Sequence, residues 1–526
     1  MRPHACLSIV SSRLVLPCAA AALALCGCGG GGGGGAAGGN NNAVALLASA
    51  AEQPPTVSAV RAGPVPFIAF VDLKLPAATS WTDVRYRIEP KAGSVSRPVD
   101  VDYAMAYLAR RGYASNGSST LTVPVFGLYA NFANEVEIHL QSSVGSPQEV
   151  HVEIDTVAYS DPNGIYDRPT ILKPRAAHDG LSFSYFYIKS ALGSPVVVDT
   201  DGQVRWVTPG NMASVSSTFD GNRFVIGSST SVQLEHLELD GTSTTTALTA
   251  PDLTDFNHNI DPGKVGVLVD LDATRDGVPA VDSTLAEIDP DSGTILARWD
   301  VGDTLSRFML SHGDDPTQFV RPGVDWFHMN AAAYDPSDDS VIVSSRENFL
   351  MKMDYASGDL IWVLGDPTKY WHSFASLASQ SLSLEGDGLY PIGQHAVSLT
   401  HDGLVQVVND GLGSENQPPG APAGESRDYS AVSTYEIDGL LRRAVEVRRF
   451  DDAQTTFSAF CSSAYQAPVD NAMLVDFAIA DQATHAYVIG LGADQQLAFD
   501  FRYETTGCNT SWNAKPIPFE AMRFHG

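Results

Sequence analysis

The chain has 526 residues, with 46 glycines, 31 prolines and 44% hydrophobic residues. It is too long for one ordinary domain, and this composition suits short strands joined by turns better than long amphipathic helices, so an all-β chain of two units is expected. A formal charge of −29 disfavours nucleic acid and anionic lipid surfaces, and an anionic substrate would need a local positive site inside an acidic envelope.

In chain order, Arg2 and Arg13 flank an apolar run from Leu14 to Leu25, too short to stay as a membrane helix, which reads as a signal peptide. It closes on Leu25-Cys26-Gly27-Cys28, which looks like a bacterial lipobox with Cys28 as the acylated residue. Residues 1–28 are then a lipoprotein signal. The Gly/Asn/Ala-rich residues 29–53 cannot bury enough apolar surface to fold and read as a tether. A periplasmic or cell-surface protein held to a membrane by its lipid is expected, with plain secretion as the alternative. Of the six cysteines, Cys461 and Cys508 alone remain in the folded part, and an oxidising compartment permits them to pair.

Residues 54–160 show short alternating strands, among them Val99–Leu108, Leu121–Tyr129 and Val136–Leu140, as in a small Ig-like β-sandwich. Asp161-Pro162-Asn163-Gly164 makes a boundary turn. Over 161–526 a hairpin phrase recurs, a strand reaching an acidic residue, a Gly turn and a strand often ending in Trp, as in Val197–Trp206, Leu285–Gly293 and Met353–Trp362, with weaker copies at Leu237–Gly241 and Glu436–Gly439. A second phrase alternates with it at Ser216–Ile226, Ile260–Leu271, Asn330–Ser344, Ala396–Val408 and Ala464–Val475. Two hairpins at irregular spacings of roughly 40 to 70 residues are what four-stranded blades with loop insertions produce, so a six-bladed β-propeller is expected after the sandwich.

Three copies of the second phrase begin with histidine: His258 in Asn257-His258-Asn259, His328 in Phe327-His328-Met329-Asn330 and His395 in Gln394-His395-Ala396. His328 and His395 each stand seven residues before a turn aspartate, Asp335 or Asp402, as Ser463 stands before Asp470. Residues entering the innermost strands of a propeller converge on one axis, so three imidazoles would meet there. One such histidine is more often a core residue; three at matching positions point to a site, because a core gains nothing from clustered titratable rings. Arg346 ends the strand Ser340–Ser345, and a guanidinium there suggests a bidentate oxyanion ligand, against the alternative of a surface salt bridge.

The segments Asp325-Trp326-Phe327-His328-Met329-Asn330, Tyr334–Arg346, Ile361-Trp362-Val363-Leu364-Gly365, Gly393-Gln394-His395, Asn409-Asp410-Gly411 and Tyr435-Glu436-Ile437-Asp438 together resemble the bacterial arylsulfate sulfotransferases. The resemblance implies a six-bladed propeller with an N-terminal β-sandwich, acting on aryl sulfate esters without a nucleotide donor. It implies that His395 is the transiently sulfated residue, that His328, Asn330 and Arg346 line the sulfuryl site, and that His258 is a further site histidine. The chain departs from the family pattern in lacking a histidine pair at 257–258, in having Val207-Thr208 without an aromatic residue, and in carrying Cys461 near a place for a small hydroxyl side chain.

The residue types agree with that chemistry. A neutral imidazole can attack sulfur to form a reactive N-sulfo adduct, Arg346, Asn330, His328 and His258 can stabilise the charge that develops, and His258 or His328 can serve the leaving phenolate as general acid. The expected partners are an aryl sulfate donor and a phenolic acceptor, with no cofactor, no metal and no nucleic acid, and with a homodimer left open. The rival readings are a metal-dependent propeller hydrolase, since three histidines and a water could ligate zinc, and a non-catalytic lipoprotein scaffold.

Overall fold

The computed structural model describes residues 54–76, 81–114, 119–143, 146–228 and 231–525. The expected signal peptide, Cys28 and the tether lie outside the described residues. Their regular structure is mainly strands, in eight sheets, with few short helices, and no helix among them is long and apolar enough to cross a membrane.

Two sheets are N-terminal. Thr56–Ala62, Ile68–Lys74 and Thr120–Phe126 form one; Gln148–Asp155, Ala133–Ser142, Trp81–Ile88, Val99–Ala104 and Met522–Phe524, in that spatial order, form the other. Side chains alternate as the sequence requires: Val84, Tyr86 and Ile88 are buried while the intervening Arg85 and Arg87 are not. The strand expected through Val99–Leu108 stops at Ala104, and Met105–Arg110 is a helix. Met, Ala, Leu and Arg favour that conformation, and it carries Leu108 into the core.

Six further sheets follow, each containing four antiparallel strands, five of them in meander order; Ser383–Glu385 adds a fifth, parallel strand beside Arg443–Phe450. The second phrase of the sequence supplies their first hairpins, such as Met329–Asp335 with Ser340–Ser345, and the first phrase their last, such as Leu350–Asp354 with Leu360–Leu364. Two pairings join distant parts of the chain. Asn513–Pro516 completes the sheet of Tyr185–Lys189, Val196–Asp199 and Val204–Trp206, and Thr170–Lys173 borders Leu497–Glu504. The very last strand, Met522–Phe524, leaves this region and runs parallel to Val99–Ala104, so the chain end belongs to the N-terminal sheets.

One strand from each of the six sheets contributes to a single cavity of about 610 Å³, lined among others by Phe219, Asp261, Tyr334, Val397, Tyr465 and Lys515. Strands of all six sheets thus line this one cavity. Val84, Tyr86 and Val125 of the N-terminal sheets share one continuous core with Tyr185, Trp206 and Phe224. Cys461 and Cys508 are joined in a disulfide.

Candidate active site

Three imidazoles meet, from the start of Met329–Asp335, the start of Gln394–Leu399 and the middle of Leu253–Pro262. The ring of His258 lies 4.7 Å from that of His328 and 6.4 Å from that of His395, centroid to centroid, and one ring nitrogen from each falls within 4.8 Å of the others. Each strand is irregular where its histidine sits. Pairing shifts between Phe256 and Ile260, between Met329 and Ala331, and between His395 and Ser398; His328 and Ala396 have φ of 52° and 53°. Bulges and left-handed residues re-aim side chains that a regular pleat would direct elsewhere. Ser463, the matching residue of the sixth sheet, instead accepts a hydrogen bond from the Ala514 amide and holds the closing strand.

The three rings differ in what stands behind them. His328 Nδ1 is 2.6 Å from Asp325 Oδ2 and 3.5 Å from Asp282 Oδ2. Burial alone would lower its pKa, but the hydrogen bond to Asp325 and the charges of Asp325 and Asp282 outweigh this and raise it above the ordinary value. His258 is the opposite case: burial, then its neighbours His328, His395, Lys189 and Arg346, hold it well below the ordinary value and therefore neutral. Its Nδ1 is buried without a partner. His395 Nδ1 faces the Gly393 carbonyl at 3.1 Å and Asp410 Oδ2 at 2.5 Å, which leaves Nε2 as its unengaged nitrogen. Only glycine suits position 393, where φ is 59° and a Cβ would come within 2.7 Å of the Leu412 carbonyl oxygen.

Arg346 is buried beside them. Its Nη1 donates to Glu347 Oε1 at 2.7 Å, while Nε and Nη2 are buried with no hydrogen-bond partner, Nη2 standing 3.6 Å from Glu415 Oε2. Glu347 also accepts the amides of Glu415 and Asn416, so the guanidinium is fixed in place by its own neighbour. Two adjacent N–H groups without hydrogen bonds on a fixed guanidinium are the donor fork that an oxyanion requires. Asn330 spends its amide on the Gln394 carbonyl at 2.7 Å and so holds the segment carrying His395; its Oδ1 is buried and unpaired.

The sequence reading left several of these groups unassigned. Asp325 and Asp410 lie inside segments singled out for other residues, and their proximity to the imidazoles is a product of folding. Phe460 lies under the Arg346 guanidinium, 4.5 Å from it, and Trp512 is 5.4 Å from the His258 ring; both half-buried side chains pack with the Cys461–Cys508 disulfide in one small apolar cluster. They supply aromatic surface where Val207-Thr208 offers none. The 610 Å³ cavity lies further along the same strands, at the buried pair Lys515–Asp261, 2.8 Å apart. It contains none of the three histidines.

Two family models match the chain. Residues 172–513 match the family model "Arylsulfotransferase (ASST)", and residues 74–157 match the "Arylsulfotransferase Ig-like domain". Arylsulfate sulfotransferase AssT of Escherichia coli O6:H1 is 27% identical over 203 residues, 35% of this chain and 32% of that protein. AssT of Lelliottia amnigena is 27% identical over 197 residues, 34% and 32% of the two chains. The matched region thus spans about a third of the length of these curated relatives. Among solved structures, the WD40 domain of Toxoplasma gondii coronin superposes with a TM-score of 0.33 at 8% identity over 65% of this chain and 77% of that one, a likeness too distant to define the fold. The family model covers more than half of the sequence and contains all three imidazoles and Arg346, and the chain belongs to the arylsulfotransferase family, with that family's Ig-like domain ahead of it.

Proposed function

We propose that this chain transfers the sulfuryl group of an aryl sulfate ester to a phenolic acceptor through a sulfo-histidine at His395, without a nucleotide donor. The six sheets are the blades of a propeller over 161–526, preceded by the β-sandwich of 54–160, and the protein is held in the periplasm or at the cell surface by a lipid on Cys28. The observation that carries the reading is a buried Arg346 whose Nε and Nη2 lack a hydrogen-bond partner beside three converging imidazoles. Nη2 has only the longer 3.6 Å contact to the half-exposed Glu415, and an oxyanion would complete both donors.

In this reading the sulfuryl oxygens sit on Nε and Nη2 of Arg346, with the aryl ring against Phe460 and Trp512. His395 Nε2 attacks sulfur; the N–S bond forms as the aryl O–S bond breaks, and the electron pair leaves on the phenolate oxygen. His328 is the general acid, because its two carboxylates favour the protonated ring, whereas His258 is held neutral. In the second half the acceptor phenol gives its proton to His328 and attacks sulfur, the N–S bond breaks, and His395 returns to neutral imidazole. Three ring nitrogens within 4.8 Å could also embrace a metal ion, but the cationic Arg346 beside them favours an anion.

Incubation with 4-nitrophenyl sulfate alone should release one equivalent of nitrophenol and add one sulfuryl mass to the His395 peptide; added phenol should discharge it and restore turnover, with or without a chelator. Turnover with no adduct in rapid-quench mass spectrometry, or full activity of His395→Asn, would refute the covalent route.

A further inference from the structure

Behind His395 stands a buried carboxylate, with the Ser462 side chain as a further polar neighbour. Asp410 is completely buried; its Oδ2 lies 2.5 Å from His395 Nδ1, yet neither carboxylate oxygen has an aligned hydrogen-bond donor. The ring N–H is directed to the Gly393 carbonyl at 3.1 Å, and the carboxylate lies beside it in close contact. Its backbone is fixed from two sides: Ser430 Oγ donates to the Asp410 carbonyl at 3.0 Å, and the Asp410 amide donates to the Gly393 carbonyl at 3.4 Å. Aspartate and imidazole are therefore mounted on one backbone unit. A buried carboxylate with unsatisfied oxygens is unfavourable in the resting protein. It gains most when a positive charge appears beside it.

The proposed chemistry, on which this inference rests, creates such a charge. When Nε2 bonds to sulfur while Nδ1 keeps its hydrogen, the ring becomes a cationic N-sulfo imidazolium, and the departing pair goes to the phenolate. We infer that Asp410 is a positioning residue for His395: with the Gly393 carbonyl it fixes the Nδ1–H tautomer, which frees Nε2 for attack, and its carboxylate stabilises the positive ring of the sulfo-histidine. An interaction that strengthens between ground state and transition state raises kcat without tightening substrate binding.

The test uses the whole protein with 4-nitrophenyl sulfate. Asp410→Asn should slow formation of the His395 adduct by about 10²- to 10⁴-fold, by analogy with loss of the orienting aspartate in a serine-protease triad, with donor KM changed by less than about threefold. Asp410→Glu should restore part of the rate. Independently of any variant, imidazole ¹⁵N NMR of the wild-type protein at neutral pH should show His395 protonated at Nδ1 and unprotonated at Nε2. An Asp410→Asn protein that forms the adduct at the wild-type rate, a loss appearing in KM instead of kcat, or a wild-type His395 carrying its proton on Nε2 would each overturn the role. A wild-type protein that turns over with no His395 adduct would overturn the covalent function itself, and Asp410's role with it.

Discussion

At the scale of single residues, the site is built from side chains whose polar atoms are left incomplete. Arg346 shows this best, with one nitrogen satisfied by Glu347 and two without a hydrogen bond. Arg346→Ala should raise the barrier to transfer by about 3–4 kcal/mol, the size of an oxyanion-donor deletion, read as kcat/KM with 4-nitrophenyl sulfate. Arg346→Lys should recover only part, because it keeps the charge and loses the fork. A second buried carboxyl, Asp476, takes one hydrogen bond from Ser511 at 2.6 Å and is raised by burial from 3.8 to about 7, with Asp410 adding to the rise. An acid with a raised folded pKa holds its proton more tightly folded than unfolded. Its contribution to stability is full below the unfolded value and is lost as pH rises through about 7. Asp476→Asn, which mimics the protonated acid, should flatten the fall in Tm between about pH 4 and pH 7; a profile as steep as the wild type's would show that Asp476 is not its source. The three histidines were legible because they begin copies of a repeated phrase, and Arg346 because it ends the strand Ser340–Ser345 and fits the family resemblance. Asp410 was not, because its importance comes from standing beside His395, and nothing in the spacing of the two announces that contact.

Among the elements, the bulges are what turn six ordinary sheets into a site. The hairpin phrases could be read from Gly turns and alternating apolar residues, since those signals are local. The irregularities at 256–260, 329–331 and 395–398 could not, because a bulge is defined by register against a partner strand. The same holds for Asn513–Pro516, whose partner is Tyr185–Lys189, and for Met522–Phe524, whose partner is Val99–Ala104; no local pattern carries a pairing across most of the chain. The helix Met105–Arg110 is the converse, a local propensity concealed by a run of apolar residues. Loop segments supply the aromatic wall: Phe460 adjoins Cys461 and Trp512 follows Cys508, so the disulfide clips both supports together. Trp512→Ala and Phe460→Ala should each raise donor KM by about tenfold, the worth of about 1.4 kcal/mol of ring contact, and should affect bulkier aryl sulfates more than phenyl sulfate. Unchanged KM across a series of donors of increasing size would remove these residues from the aryl site.

For the molecule as a whole, the question is whether the N-terminal sheets merely precede the site-bearing region or are part of its stability. The core answers in one way: Tyr86 and Val125 share a single apolar cluster with Trp206 and Phe224, and Trp206 stacks on Phe224 at 5.1 Å while its indole N–H donates to the Leu239 carbonyl at 3.0 Å. The polar contact at Arg205 answers in another. This side chain is 1% exposed; its Nε and Nη2 donate to the Gly127 carbonyl at 3.1 and 2.6 Å, Nη1 donates to Asp199 Oδ2 at 3.1 Å, and the guanidinium lies 3.6 Å from the Tyr129 ring centroid. One residue thus ties a strand of the site-bearing region to the loop after Thr120–Phe126. Removing it leaves Asp199 buried and uncompensated and strips the Gly127 carbonyl of both donors, so Arg205→Ala should destabilise the protein by about 3–5 kcal/mol. Asp199→Ala in the same background should cost far less than it does alone, because the two side chains act as a unit. Urea unfolding followed by tryptophan fluorescence reads both, since Trp206 sits at the junction. Wild-type protein should unfold in one transition, and Arg205→Ala should either lower its midpoint or split it in two. An Arg205→Ala protein with the wild-type midpoint would mean that the shared apolar core alone joins the regions and that the buried arginine adds nothing to it.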